Sequence, residues 1–191
     1  MLTTEDLITP RTLTAVSGED VPVPAPGRLV HLQFRRFAGC PICNLHLRSV
    51  ARRHDELTAA GIQEVAVFHS PAEELRPYVA ELPFPVVADP RRRLYREFGV
   101  ESAPRALLDP RAWPGIVGGV AADLLRVARR RQPVATTASG GRLGLPGDFL
   151  IAPDGRPAAV KYGAHADDQW PVEEVLARAA AHASALAPDE R

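Results

Sequence analysis

The chain has 191 residues, which is enough for one domain with a buried core and too few for two large domains. Its 23 basic and 23 acidic residues give no net charge, and this balance argues against a nucleic-acid-binding protein. No stretch approaches the roughly 18 apolar residues of a membrane span, and the N-terminus shows no basic segment followed by an apolar run. We therefore expect a cytoplasmic protein with no nucleic-acid partner and no membrane partner.

The first third of the chain predicts a turn-rich lead-in followed by a strand and a helix. Residues 1–27 are rich in turn formers, and the proline-rich run 21–27 is expected to be a stiff, extended segment. The apolar stretch 28–36 predicts a buried strand. A helix is expected over about 43–60, since its apolar residues recur at helical spacing, and Gly61 marks its end.

Strands and helices continue to alternate beyond that point. The elements expected next are, in chain order, a strand over 65–68, a helix over 71–81, a strand over 84–88 and a helix over 91–98. Ser70 followed by Pro71 is typical of a capping box with proline at the first helical position. Asp89 is expected to cap the fourth helix.

The segment 101–144 is rich in proline and glycine, yet it contains a helical stretch over about 117–131. We interpret it as an insertion, after which a β-hairpin over 149–152 and 158–162 and a helix over 171–186 complete the chain. The order predicts an α/β fold with a mixed central sheet flanked by helices. We expect a single domain over 1–191, with its core at about 12–100 and 145–187 and the insertion at about 101–144.

The two cysteines of the chain form one Cys-x-x-Cys motif, Cys40-Pro41-Ile42-Cys43, directly after the first predicted strand. A cysteine at a helix N-terminus faces unpaired backbone N–H groups and the positive end of the helix dipole, which favour the thiolate. Arg35 and Arg36 lie just upstream and could add to this effect. One thiolate can attack a substrate while the second thiol resolves the product as a disulfide.

A zinc site is the main alternative for such a motif, but zinc needs four ligands. No second cysteine pair exists, and His31, His46 and His54 do not supply a familiar zinc spacing. We expect no metal and no cofactor.

The segment FRRFAGCPICN at 34–44 resembles the peroxiredoxin-like branch of the alkyl hydroperoxide reductase/thiol-specific antioxidant (AhpC/TSA) family, and LPGDFLIAPDG at 145–155 is similar to that family's closing strand and turn. The resemblance covers about residues 12–180. It implies a thioredoxin-like fold, a peroxide or disulfide substrate, and a thiol reductant such as a thioredoxin-like protein.

The motif departs from the family pattern Pro-x-x-x-Thr-x-x-Cys. With Cys43 in the peroxidatic place, Cys40 stands at the Thr position and Arg36 at the Pro position; with Cys40 there, these positions hold Phe37 and Gln33. The family's later Arg, which helps to activate the peroxide, falls at Pro146. The register with Cys43 in the peroxidatic place is the better supported, because the distance from Cys43 to the second strand resembles that in the family. We therefore expect a peroxiredoxin-like antioxidant that reduces peroxides, although the missing donors predict slow peroxide turnover. They also strengthen the alternative of a thioredoxin-type thiol-disulfide oxidoreductase, in which Cys40 is the exposed nucleophile. A non-catalytic redox-sensing module is a further alternative.

Four more residues are candidates for lining the site: Arg36, Pro41, His46 and Pro146. His46 lies one helical turn after Cys43, so it either contacts the thiolate or is a surface histidine. Pro146 precedes a strand, where thioredoxin-fold proteins hold a cis-proline beside the dithiol; an ordinary trans proline is the alternative.

The insertion leaves two questions open. Arg105 or Arg142 could replace the missing peroxide-activating arginine, as could Arg35 or Arg36. Trp113 and the glycine-rich run 115–119 could form a lid or a dimer surface, so a homodimer stays an open alternative.

Overall fold

The computed structural model describes residues 1–100, 102–103, 108–128, 141 and 143–187. The strands are β1 (Arg11–Thr14), β2 (Asp20–Val23), β3 (Leu29–Phe34), β4 (Ile62–Phe68), β5 (Val86–Ala88), β6 (Gly147–Ile151) and β7 (Pro157–Tyr162). The helices are α1 (Pro41–Arg52), α2 (His54–Ala59), α3 (Ala72–Val79), α4 (Arg93–Glu97), α5 (Trp113–Ala128) and α6 (Val172–Leu186). A short 3₁₀ turn, Pro110–Ala112, leads into α5.

A five-stranded sheet in the order β5-β4-β3-β6-β7 forms the centre of the molecule. β3 runs parallel to β4 and antiparallel to β6, while β5 is parallel to β4 and β7 antiparallel to β6. This arrangement confirms the predicted α/β fold with a mixed sheet. Phe34 at the end of β3 pairs with Gly147 at the start of β6, so the segments after β3 and before β6 meet at one edge.

The central strand β3 divides its side chains between two different environments. Val30, Leu32 and Phe34 lie on one face of the sheet, in an apolar core shared with β1, β2 and α4. The ring of Phe34 packs edge-on against Phe149 at a centroid distance of 5.5 Å. His31 and Gln33 point to the opposite face and are fully buried there, because successive side chains of a strand alternate between faces.

The first half of the chain contains one pairing that was not predicted and one wrong local prediction. The segment from Val21 is extended over residues 21–23, as predicted, but it also pairs: Asp20–Val23 and Arg11–Thr14 form an antiparallel hairpin that buries Val21 and Val23. Ser70 does not cap α3, whose N-cap is Pro71. The Ser70 hydroxyl instead accepts a hydrogen bond from the Ala38 amide at 2.9 Å, and this bond anchors the loop that precedes the dithiol.

Helix boundaries differ from the sequence predictions in instructive places. The helix expected over 43–60 begins earlier, at Pro41, and is interrupted at Arg53. The N-cap residue of α4 is Arg92 rather than the predicted Asp89, but the Asp89 carboxylate accepts hydrogen bonds from the amides of Arg93 and Leu94 and so satisfies the first turn of the helix. The insertion helix begins at Trp113 rather than 117 and extends to Ala128; the predicted continuation over 129–131 lies outside the described residues.

Within the described part of the chain, no helix combines the length and apolar character needed to cross a bilayer.

Candidate active site

The dithiol lies where β3 leaves the sheet and α1 begins. A loop follows Phe34, and Gly39 adopts a φ of 72°, in the left-handed region that glycine enters without steric cost. Cys40 is the N-cap of α1, Pro41 occupies its first position and Cys43 lies in its first turn. The strand end and the helix start therefore fix both sulfurs at the carboxyl edge of β3.

The two sulfurs face each other at the start of the helix. The Sγ atoms of Cys40 and Cys43 are 2.7 Å apart, within hydrogen-bonding distance, and both residues are free cysteines. The backbone amide of Cys43 donates to Cys40 Sγ at 3.4 Å, and Arg36 Nη1 donates to the same sulfur at 3.7 Å. This geometry can close to an intramolecular disulfide with little backbone movement.

Both cysteines are buried. Cys40 is 0% exposed and Cys43 is 1% exposed, so Cys40 is not the exposed nucleophile that the thioredoxin-type interpretation expects. The surrounding loop is closed as well, since Arg36, Phe37 and Ala38 are each less than a tenth exposed. Access to either sulfur therefore depends on what covers this part of the molecule.

The protein environment drives the pKa values of the two thiols apart. Burial raises the pKa of Cys40, and the neighbouring Cys43 raises it further. Burial also acts to raise the pKa of Cys43, but the hydrogen bond with Cys40, the charge and backbone of Arg36 and the charge of Arg35 lower it to about 7. The surroundings of the coupled pair therefore favour the thiolate on Cys43 over the thiolate on Cys40.

Directly beneath α1 lies a buried polar cluster that three strands and one helix assemble. Its members are His31, Gln33, Arg35, His46, Glu64 and Asp148. Arg35 Nη2 donates to Asp148 Oδ1 at 2.8 Å and to Gln33 Oε1 at 2.5 Å. His31 joins the two carboxylates, with Nδ1 2.9 Å from Glu64 Oε2 and Nε2 3.3 Å from Asp148 Oδ1. Gln33 also donates to Glu64.

The charges of this cluster are set by mutual pairing. Burial alone lowers the pKa of His31, but Glu64 and Asp148 raise it to about 9, so His31 is a cation at neutral pH. Burial acts to raise the pKa of Asp148, yet Arg35 and His31 hold it well below its usual range. Arg35 is thereby fixed as a paired, buried cation next to the dithiol.

His46 belongs to this cluster and is not a surface histidine. It is 9% exposed, and its Nε2 lies 3.1 Å from Arg35 Nη2. Burial and the charge of Arg35 lower its pKa well below the usual value, so the ring is neutral. The His46 ring therefore contacts the guanidinium of Arg35 in the described structure. It does not contact a thiolate, which was one of the two alternatives drawn from the sequence.

The other predicted residues of the site occupy the same edge of the sheet. Pro41 is half-buried at the start of α1, and Pro146 is buried directly before β6. The described residues contain one cis X-Pro bond, Val23-Pro24, so the bond preceding Pro146 is trans. The Pro146 carbonyl accepts a hydrogen bond from Gly163 at 2.9 Å and holds the ends of β6 and β7 together.

Arg105 and Arg142, the alternative peroxide-activating arginines, lie outside the described residues.

Glu64 and Asp148 were not identified as part of this site from sequence. The signal that could have suggested the cluster is the polar alternation His31, Gln33, Arg35 within an otherwise apolar strand. Among the described side chains, no group of three or more His, Cys, Asp or Glu is placed to hold a metal ion.

A family model for the AhpC/TSA antioxidant enzymes matches residues 49–165, which is more than half of the chain. The chain belongs to the AhpC/TSA antioxidant enzyme family. The matched span begins six residues after Cys43, so the AhpC/TSA assignment rests on the body of the fold and not on the dithiol itself. No curated protein sequence matches the chain.

Solved structures of low sequence identity share the fold of this AhpC/TSA protein. Peroxidoxin BcpB from Mycobacterium tuberculosis is 13% identical, with a TM-score of 0.61 over 95% of this chain and 96% of that one. The peroxiredoxin 6 of Arenicola marina is 12% identical, with a TM-score of 0.70 over 100% of this chain and 80% of that one. Peroxiredoxin Q from Xanthomonas campestris is 18% identical, with a TM-score of 0.60 over 91% of each chain. These structures confirm the thioredoxin-like, peroxiredoxin-like architecture.

Proposed function

We propose that this AhpC/TSA protein is a thiol peroxidase in which Cys43 attacks the peroxide and Cys40 resolves the product. One observation carries the assignment: the sulfurs are 2.7 Å apart, and the environment lowers the pKa of Cys43 while raising that of Cys40. The thiolate is the attacking form of a cysteine, and the second thiol must stay close enough to form a disulfide. Family membership supports an antioxidant, oxidoreductase role.

The proposed catalytic cycle has three steps. The Cys43 thiolate attacks one peroxide oxygen, the O–O bond breaks, and the leaving oxygen takes up a proton as an alcohol or water. Cys43 becomes a sulfenic acid and the peroxide is reduced by two electrons. The Cys40 thiol then attacks the Cys43 sulfur, a disulfide forms, and the sulfenic oxygen leaves as water. An external thiol reductant supplies two electrons and two protons to restore the dithiol.

Arginine supports the attacking step in this proposal. Arg36 and Arg35 both lower the pKa of Cys43, and Arg36 Nη1 lies 3.7 Å from the partner sulfur. Arg36 is thus a candidate for the cationic donor that the family places elsewhere in its sequence. One cation does not replace a complete set of oriented donors, so oxidation by hydrogen peroxide should be slower than about 10⁷ M⁻¹s⁻¹, below the diffusional range.

The test is turnover of hydrogen peroxide, an alkyl hydroperoxide and a model disulfide by the wild-type protein, Cys40→Ser and Cys43→Ser. The wild type should consume peroxide catalytically, and Cys43→Ser should be inactive. Cys40→Ser should oxidise once and accumulate a sulfenic acid, detected by a dimedone adduct in intact-mass analysis. Retained peroxide reduction in Cys43→Ser, or turnover of the model disulfide alone, contradicts the proposal.

A further inference from the structure

Helix α5, from the insertion, lies against the turn that holds the two cysteines. The contact is backbone to backbone at Gly119. A Cβ atom on Gly119 would lie 2.7 Å from the carbonyl carbon of Pro41 and 2.9 Å from the amide nitrogen of Ile42. Real Cβ atoms essentially never approach so closely, and the obstructing atoms are main chain, so a side chain here must move the helix. Glycine is thus required for α5 to lie at its present distance from the dithiol turn.

We propose that Gly119 determines which substrates reach the reduced dithiol: by letting α5 close on Pro41 and Ile42, it admits molecules the size of a hydroperoxide and excludes disulfides of peptides and proteins. This inference rests on the proposed peroxidase function and names the substrate class of the same site. A protein disulfide must bring its own sulfur into line with the Sγ of Cys43, a residue that is only 1% exposed. A small peroxide needs only a brief local opening of the structure.

Other contacts show that the first half of α5 packs against the molecule at more points than Gly119. Ala112, just before the helix, is fully buried in the core that contains both cysteines. A Cβ on Gly115 would lie 2.1 Å from the Asp167 carboxylate, so this turn of the helix also packs closely against the segment preceding α6. The outward residues Trp113 and Val117 are exposed, so the inner, glycine-bearing side is the one that covers the dithiol.

Gly118 provides a matched control within the same helix. A Cβ on Gly118 would meet only Leu45 Cδ2, at 3.9 Å, an ordinary van der Waals distance. Replacing either glycine by alanine gives the same gain in helix propensity. The two variants therefore differ in one respect, the clash with the backbone of Pro41 and Ile42.

The experiment compares two probes on reduced wild-type protein, Gly118→Ala and Gly119→Ala. Hydrogen peroxide is the small probe, and a polyethylene-glycol maleimide of several kilodaltons is the bulky one. The overpacked Gly119→Ala should raise the bulky labelling rate by about tenfold or more and leave the peroxide rate within about twofold. Gly118→Ala should match the wild type for both probes. Equal labelling of all three proteins by the bulky probe overturns the proposal.

A second variant covers the case in which Gly119→Ala does not fold. Leu45→Ala removes the partly exposed side chain that faces Gly118, without introducing a clash, and it should raise the bulky labelling rate about threefold by loosening α5. An unchanged rate in Leu45→Ala overturns the proposal in that case. Failure of the peroxidase function gives a different result: hydrogen peroxide then oxidises none of the proteins, whereas labelling by the bulky probe still responds to Gly119→Ala.

Discussion

The two faces of the central sheet are built from the same strands and have opposite chemistry. On one face Phe34 and Phe149 belong to an apolar, aromatic core under α4, with Phe98 in contact with both. On the other face Arg35 and Asp148 form a buried ion pair beneath α1. The apolar face contributes stability by removing surface from water. The polar face contributes to the charge around the dithiol, because Arg35 adds to the lowering of the pKa of Cys43 that the hydrogen bond with Cys40 and Arg36 produce.

The comparison shows that residues on one face of the sheet stabilise the fold, while residues on the other face influence the reactivity of the dithiol. Buried ion pairs contribute little net stability, since desolvation offsets most of the attraction, but removing one partner is costly. We therefore expect mutations on the apolar face to change stability alone. Mutations on the polar face should change stability together with its pH dependence.

The largest effect is expected from Phe149→Ala on the apolar face. Phe149 is fully buried among Phe34, Phe98 and Tyr162, so the truncation should lower the free energy of unfolding by about 3–5 kcal/mol. Urea denaturation measures the loss, and alkylation of Cys43 against pH should give the wild-type profile. A shifted alkylation profile would show that the two faces are not separate in function.

The next effect is the pH dependence of stability that His31 produces. The pKa of His31 is raised to about 9 in the folded protein, above its unfolded value, so its contribution is complete below about pH 6.5 and is lost as pH rises through 9. The loss should reach about 3 kcal/mol between these limits. The lowered pKa of Cys43 acts in the opposite direction between pH 7 and 9, so the measurement uses the Cys40→Ser/Cys43→Ser protein.

Asp148→Asn in the cysteine-free protein is the control for this prediction. The substitution removes one of the two carboxylates that raise the pKa of His31. The fall in stability between pH 6.5 and 9, followed by urea denaturation, should therefore be smaller than in the parent. An equal fall in both proteins would assign the pH dependence to another group.

A smaller effect is expected from Arg36→Gln, which acts on the dithiol itself. Arg36 lowers the pKa of Cys43, so its removal should raise that pKa and reduce the thiolate fraction at pH 7. Alkylation of Cys43 at pH 7 should slow by about threefold to tenfold in a Cys40→Ser background. Arg36→Lys, which keeps a positive charge, should recover part of the rate; no difference between Gln and Lys would exclude a charge effect.

The smallest effect is expected from Glu97→Gln, which breaks an ion pair far from the polar face. Glu97 pairs with Arg11 at the surface, where the Glu97 side chain is 47% exposed. Exposed pairs are screened by water, so the change should cost less than about 1 kcal/mol in urea denaturation. Set against Asp148→Asn, which breaks a buried pair, it measures how much burial changes the cost of losing a charge partner. A cost as large as that of Asp148→Asn would contradict this dependence on burial.

The sequence by itself determined the order of strands and helices from β3 onward, apart from the break between α1 and α2, together with the dithiol and its place at the start of a helix. These features depend on near neighbours along the chain: apolar periodicity, a capping carboxylate such as that of Asp89, and the Cys-x-x-Cys spacing. The closing hairpin was predictable for the same reason, since Pro153-Asp154-Gly155 is a local turn between two apolar runs. The resemblance that 34–44 carries also led to the correct family.

Only the tertiary structure decided the surroundings of the two cysteines and what covers them. The polar cluster needs β3 paired with both β4 and β6, and nothing local in sequence sets the register that brings Glu64 and Asp148 to His31. Helix α5 covers the dithiol through a contact between Gly119 and Pro41, far apart in the chain. The charge and the solvent exposure of a cysteine depend on all residues near it in space. They can therefore be determined only when the sheet has brought distant segments of the chain together.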